Sequence, residues 1–266
     1  MQRRRWFEIH DQPWFPAFLR DRVTEALESV WNGSRTYSPV AALLRKAVRE
    51  SGARQVVDLG SGGGGPWMGL YPDVADGQPL TIRLTDLYPN ALLSRDNGSA
   101  RASQPDQVHL RPCRESVDAR SVPAELSGFR TIFSSFHHFD PDSARAILAD
   151  AFHRRQGIGI FEAACCTPWT LFAVNAVPLL GLREAARARP VRFERLFWTF
   201  LVPVVPATLW VDGMLSCLRS YSLADLAELT EGLTADDYFW EIGEAGGGRV
   251  PIRYLIGCPR QAMPSR

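Results

Sequence analysis

A chain of 266 residues, 45% hydrophobic and 22% charged, has the size and apolar content for one large α/β domain with additions. Its formal net charge of +1 removes the bulk attraction on which nucleic-acid binding rests, so no nucleic-acid partner is expected. Five cysteines (Cys113, Cys165, Cys166, Cys217, Cys258) show no C-x-x-C spacing. Neither a disulfide framework nor a metal site follows from them, and a reducing, cytoplasmic location is expected. The opening Met1-Gln-Arg-Arg-Arg-Trp-Phe7 has basic residues with no apolar run behind them and does not read as a signal peptide.

Residues 1–52 read as a helical cap. Asp11-Gln-Pro-Trp-Phe-Pro16 is a turn, and Pro16 suits the first position of a helix. Leu19, Val23, Ala26, Leu27 and Val30 then recur at helical spacing as far as Asn32-Gly-Ser34. A second helix follows Pro39, with Leu43, Leu44, Ala47 and Val48 on one side and Gly52 at its end. Gln55-Val-Val-Asp-Leu59 reads as a short buried strand, and five of the six residues from 60 to 65 are glycine. A strand breaking into a glycine-rich turn lets backbone N–H groups approach a nucleotide-like ligand at the carboxyl edge of a parallel sheet.

The glycines alone leave two readings open. Gly60-x-Gly62-x-x-Gly65 spells the dinucleotide pattern of NAD(P)-dependent oxidoreductases. Asp58, however, would repel a pyrophosphate. Asp58-Leu-Gly-Ser-Gly-Gly-Gly64 resembles the D-x-G-x-G-x-G motif of class I S-adenosylmethionine-dependent methyltransferases, whose sulfonium donor carries an ammonium group that a carboxylate attracts. The resemblance covers residues 53–163 motif by motif and 222–260 by element order. It implies an α/β, Rossmann-like seven-stranded sheet of order 3-2-1-4-5-7-6 with the last strand antiparallel. It also implies in-line transfer of a methyl group from S-adenosylmethionine to a small, hydrophobic molecule. Gly60, Ser61, Gly62, Gly63 and Gly64 would cradle the amino-acid part of that cofactor, with Asp58 near its ammonium group.

Further along, Leu80-Thr-Ile-Arg-Leu-Thr-Asp86 is a second strand ending in an acid, which can accept both ribose hydroxyls of an adenosine. Asp86-Leu-Tyr-Pro-Asn90 resembles the family's pattern there and brings in Leu87. Val108-His-Leu-Arg-Pro-Cys113 suits a third strand at an edge. By the resemblance, Asp118 and Ala119 in the following loop would meet the adenine ring. Residues 131–136 read as a central fourth strand, followed by His137, His138 and a helix capped by Asp140 with Pro141 first. Ser-Phe-His-His-Phe139 resembles the family's post-strand segment, which puts Ser135 and Phe136 near the transferring methyl. His137 or His138 is either a general base or a pocket-shaping residue. Trp14 and Tyr37, with Phe15 and Arg20, are candidate substrate-pocket residues of the cap, or else they dock it.

After a fifth strand at 157–163, residues 163–182 and 196–211 carry no charge. The first run approaches membrane-span length but contains Pro168, Asn175 and Pro178. A helical lid over residues 164–221 is expected, and such an apolar cover suits a hydrophobic acceptor. A peripheral membrane contact, aided by the arginines of 183–189, stays open beside it. Asp212, Ser216 and Arg219 would share a helix face, either orienting an acceptor or tying the insertion to the sheet. Residues 222–266 add a capped helix and a closing β-hairpin. The expected organisation is one domain: cap 1–52, cofactor core 53–163, insertion 164–221, helix and hairpin 222–266. A non-catalytic module on the same fold is a third reading.

Overall fold

A computed structural model describes residues 7–89 and 109–260; Asn90 and Val108, named in the motifs read from sequence, lie outside the described residues. Seven strands form one sheet: β1 (Gln55–Leu59), β2 (Thr81–Asp86), β3 (His109–Ser116), β4 (Phe129–Phe133), β5 (Ile158–Glu162), β6 (Tyr238–Ala245) and β7 (Ile252–Pro259). Their order is β3-β2-β1-β4-β5-β7-β6. The pairs from β3 through β5 are parallel, and β7 runs antiparallel to β5 and β6. The sheet thus has the expected order and the expected reversal. β4 and β5 are buried at every residue, which is why they read as continuous apolar runs rather than alternations. Pro112 falls in β3, an edge strand, where a missing backbone donor is tolerated.

Nine helices accompany the sheet among the described residues: α1 (Ala17–Gly33), α2 (Ala41–Glu50), α3 (Trp67–Ala75), α4 (Pro141–His153), α5 (Pro168–Val174), α6 (Val177–Arg187), α7 (Phe193–Leu196, running into a π turn at Phe197–Leu201), α8 (Val204–Arg219) and α9 (Leu223–Thr230). Pro16 is the residue that caps α1 rather than its first helical one. Asp140 caps α4 by accepting from the Ser143 N–H at 2.8 Å. Ser222 and Asp225 form a reciprocal capping box on α9. One face of the sheet packs Val56, Phe129 and Phe161 against Leu44 of α2 and Trp67 of α3. The other packs Val57, Ile132 and Leu255 against Ile147 and Leu148 of α4 and Leu226 of α9.

The insertion folds as α5 to α8 over the carboxyl edge of the parallel strands. A third, smaller cluster joins it to the cap: Phe15, Leu19 and Val23 meet Val205 and Leu209 of α8. Arg249, in the turn between β6 and β7, lies 4.0 Å over the Trp169 ring and fastens the hairpin to α5. No single helix among the described residues is long and apolar enough to cross a membrane, while the pair 193–201 and 204–219, bent by 65°, has the length and composition to do so together. Its outer side exposes Phe193 and Leu201.

The glycine turn after β1 is held against α1 so closely that a Cβ on Gly63 would lie 2.7 Å from the Thr24 carbonyl oxygen. Gly63→Ala is therefore expected to lower unfolding stability by about 1–3 kcal/mol, the usual cost of overpacking. Gly247, whose Cβ would meet nothing within 4 Å, is the control. Urea midpoints compared at constant slope check both.

Candidate active site

The strand order reverses between β1 and β4, which opens a crevice at their carboxyl ends. The turn that follows β1 lies in it. Gly60, Gly62, Gly64 and Gly65 all take positive φ, a conformation that side chains with a Cβ resist. The Ser61 N–H donates to the Thr85 carbonyl at 2.9 Å, and the Gly62 N–H donates to Asp86 Oδ2 at 2.8 Å. The other Asp86 oxygen accepts from the Tyr88 N–H. Burial raises the Asp86 carboxyl above its ordinary range, against the pull of these two backbone donors. Asp58 lies beneath the turn, 1% exposed, and accepts from the Thr131 hydroxyl at 2.6 Å. Burial lifts it to about 7, although the Thr131 hydroxyl and the Trp67 indole N–H oppose the rise.

At the end of β4 the backbone departs from the expected strand. Ser134 takes a φ of +41°, a strained value for a residue with a Cβ, and Phe136–His138 form a 3-10 turn. The strand therefore stops at Phe133, three residues before the expected end. Tyr37 Oη bonds Ser134 Oγ at 2.5 Å, and Ser134 Oγ also accepts from the Ala163 N–H. Ser135 Oγ is buried with no hydrogen-bonding partner among the described residues. A Cβ on Gly60 would sit 3.0 Å from it. A polar atom stranded beside a glycine cradle is what a ligand-binding turn offers.

Carboxylates and imidazoles then crowd the rim. Glu162, the last residue of β5, accepts from the Phe136 and His137 N–H groups and lies 2.7 Å from His137 Nδ1. His137 Nε2 is 3.3 Å from Glu8 Oε1. Burial alone would depress the His137 imidazole, but Glu162 and Glu8 overcome it and raise it to about 10. Both His137 nitrogens are thus set against carboxylates, which favour its protonated form. Burial likewise pushes Glu8 upward, and the charges of His138, His137 and His10 outweigh it, holding Glu8 well below the carboxylate range. Arg219 closes the group, reaching Glu8 at 3.4 Å and donating to the His138 carbonyl. Asp212 accepts from the Ile9 and His10 N–H groups and meets His10 Nδ1 at 2.7 Å.

These groups form the polar end of a cavity of about 330 Å³ whose walls include Val23, Leu27, Trp31, Val174 and Leu209. Of the residues singled out in the sequence, Gly60, Ser61, Gly62, Gly63, Ser135, His137, His138, Asp212 and Ser216 line it. Asp86 borders a small crevice on the other side of the turn with Ser61, Gly62, Leu84 and Pro112. The remainder lie elsewhere. Gly64 is buried within the turn. Phe136 is fully buried in the core against Tyr221, and Leu87 is exposed. Asp118 is paired with Arg120 at 2.6 Å on the surface beside Ala119, and that guanidinium lowers its carboxyl. Trp14 is 67% exposed, and Tyr37 is buried behind Phe133. Phe15 docks the cap, and Arg20 donates to the His10, Gln12 and Phe15 carbonyls. Asp212 and Arg219 do share a face, yet each bonds the N-terminal segment rather than the other.

Glu8, His10, Asp11 and Glu162 were not legible as site residues. Glu162 had a signal, an acid closing a buried strand at the crevice edge. The other three had none, because their segment has no regular structure and hence no periodicity.

No protein-family model and no curated protein sequence matches the chain. Among solved structures it is similar to the mitomycin 7-O-methyltransferase MmcR, at 20% identity over 82% of this chain and 52% of that one, with a TM-score of 0.45. It is similar to human N-acetylserotonin methyltransferase in complex with SAM, at 13% identity over 92% and 57%, with a TM-score of 0.49. It is also similar to the methyltransferase domain of bacterial CtHen1, at 12% identity over 84% and 99%, with a TM-score of 0.47. The chain thus spans little more than half the length of the first two. Likeness at this level carries no activity across.

The Asp58 carboxyl titrates near 3.8 in an unfolded chain and at about 7 when folded. Between those values the folded state holds the extra proton, so Asp58 withdraws stability as pH rises through the window. Asp58→Asn has no such proton to lose. From pH 5 to pH 8 it is expected to gain about 1 kcal/mol or more relative to the wild type, read as the pH dependence of the difference in denaturation midpoints.

Proposed function

We propose that this chain is an S-adenosylmethionine-dependent methyltransferase acting on a small, largely apolar acceptor. One observation carries the reading. A glycine turn, tied to an acid at the end of β2, sits at the reversal point of a 3-2-1-4-5-7-6 sheet and opens directly onto an apolar cavity. The residues present fit the donor. Gly60 to Gly63 offer a close-approach backbone for its amino-acid part, Asp86 would face the ribose hydroxyls, and the Ser135 hydroxyl beside the turn is buried without a partner among the described residues. Asp58 lies buried in β1, its carboxylate bonded to the Thr131 hydroxyl of β4, and its proposed place near the ammonium group is by way of the turn that follows it. Bound there, the cofactor supplies an electrophilic methyl group.

What the chain adds is alignment and dryness. In-line displacement gains most from fixing the nucleophile against the methyl carbon. The walls from α1, α5, α6 and α8 keep water from a sulfonium that would otherwise be hydrated. Cavity volume and lining favour an acceptor the size of one or two fused rings over a polymer.

An NAD(P)-dependent oxidoreductase is the competing reading. The charge objection to a pyrophosphate weakens once Asp58 is seen beneath the turn and partly protonated. The antiparallel β7 is then the stronger ground against it. A non-catalytic module has the formed cavity against it.

Calorimetric titration of the purified protein with S-adenosylmethionine, S-adenosylhomocysteine and NADH separates them. Binding of the adenosyl ligands without NADH is expected. NADH binding with neither adenosyl ligand bound overturns the methyltransferase reading. Asp86→Ala is expected to weaken S-adenosylhomocysteine by about tenfold or more, the worth of a charged hydrogen bond. Unchanged affinity in a folded variant removes the ribose role.

A further inference from the structure

We infer that Glu8, His10 and His138 form a binding site for one divalent transition-metal ion at the polar end of the cavity. A ligand atom from each lies within 4.8 Å of the others. Glu8 Oε2 and His138 Nε2 are already 3.6 Å apart. Ligands around one ion at 2.0–2.1 Å stand about 3 Å from each other, so rotation of side chains suffices to close the set. Two imidazoles and one carboxylate form a donor set suited to Zn²⁺, Mn²⁺, Fe²⁺ or Co²⁺, and three protein ligands leave coordination positions open.

The surroundings distinguish this group from an ordinary ion-pair network. A metal-binding imidazole is normally held by a carboxylate on its other nitrogen, which fixes the ring and its tautomer. Both histidines have that partner: Asp212 sits on His10 Nδ1 at 2.7 Å, and Asp11 sits on His138 Nδ1. Nε2 is then the ligating atom of His138; on His10, Nδ1 lies 4.0 Å from Glu8 Oε2 and Nε2 lies 3.7 Å from Asp11 Oδ1, so ligation through its Nε2 requires the ring to turn. Glu8 is oriented in turn, its Oε1 drawn toward His137 Nε2 and Arg219 while Oε2 faces His138. The three ligands come from an irregular N-terminal stretch and the turn after β4. All three line the cavity, so an open coordination position faces the acceptor space and suits an oxygen of the acceptor. That last role rests on the methyl-transfer reading; binding of the ion does not.

The test uses the full chain without added histidines, stripped by a chelator and titrated with Mn²⁺, Co²⁺ and Zn²⁺. One ion per chain by elemental analysis is expected, with a changed visible spectrum for Co²⁺ and a melting temperature that rises with the logarithm of ion concentration above the Kd. His10→Ala and His138→Ala should each lower affinity at least tenfold, and Asp212→Asn about 10- to 100-fold through the orientation of His10. Circular dichroism establishes that each variant is folded. Should an alanine variant unfold, His138→Gln keeps the volume and loses the ligand. A folded wild type that retains no ion overturns the site. So does undiminished binding in the folded His10→Ala/His138→Ala protein, which would put the ion elsewhere, as on the exposed Cys166 thiol. S-adenosylhomocysteine titrated into the same stripped protein reports on the methyl-donor reading by itself.

Discussion

Glu8 is a carboxylate buried to 1% exposure at the meeting point of three separate parts of the chain. A charge in that position is tolerated only when counter-charges reach it, since an unpaired buried ion costs several kcal/mol. The counter-charges come from the turn after β4, through His137, and from α8, through Arg219. Glu162 anchors His137 from β5 in turn. The rim of the cavity is therefore a consequence of neutralising one acid. The apolar cluster of Phe15, Leu19 and Val23 with Val205 and Leu209 supplies the adhesion, but it has no directional preference. The charged group fixes where the cap and the insertion must stop.

The cavity inherits an uneven lining from this arrangement. Its walls are largely aliphatic and aromatic, with the histidines, Glu8 and Asp212 in one group and further polar residues, Thr24, Glu28, Ser34 and Thr36, contributed by α1 and the turn after it. An acceptor enclosed there would orient its polar atom toward one of these groups, because leaving it against Val23 or Leu209 would strand it without a partner. The glycine turn borders the same space. The turn and the charged group at the rim are thus fixed relative to each other by the fold itself.

The sheet was largely legible in the sequence. β1, β4 and β5 are apolar because both faces are covered, the glycines of 246–248 mark the hairpin, and Asp140 and Ser222 announce their helices through side-chain caps. The glycine turn was legible because positive φ leaves few alternatives to glycine. Where reading failed, the cause was long-range geometry. Ser134 stops β4 by a backbone angle that its identity does not betray. Asp58 was legible as a residue of the buried first strand, but its hydrogen bond from Thr131 of β4 was not. Glu8, His10 and Asp11 acquire meaning only from partners that the fold brings to them, and no local pattern encodes that.

The hydrogen bonds from the Ile9 and His10 N–H groups to Asp212 span 203 and 202 residues of sequence. This sets an order of events. During synthesis the strands through β5 are complete by residue 162, while the Asp212 partner of Ile9 and His10 has not yet been made. Contacts of such separation form late, after the loop between them has been closed by other structure. A nascent chain could therefore possess the turn and the parallel strands while the rim is still open. Closure of the rim waits for α8 (Val204–Arg219), and it ties the segment at Ile9 and His10 to a helix made after the parallel strands.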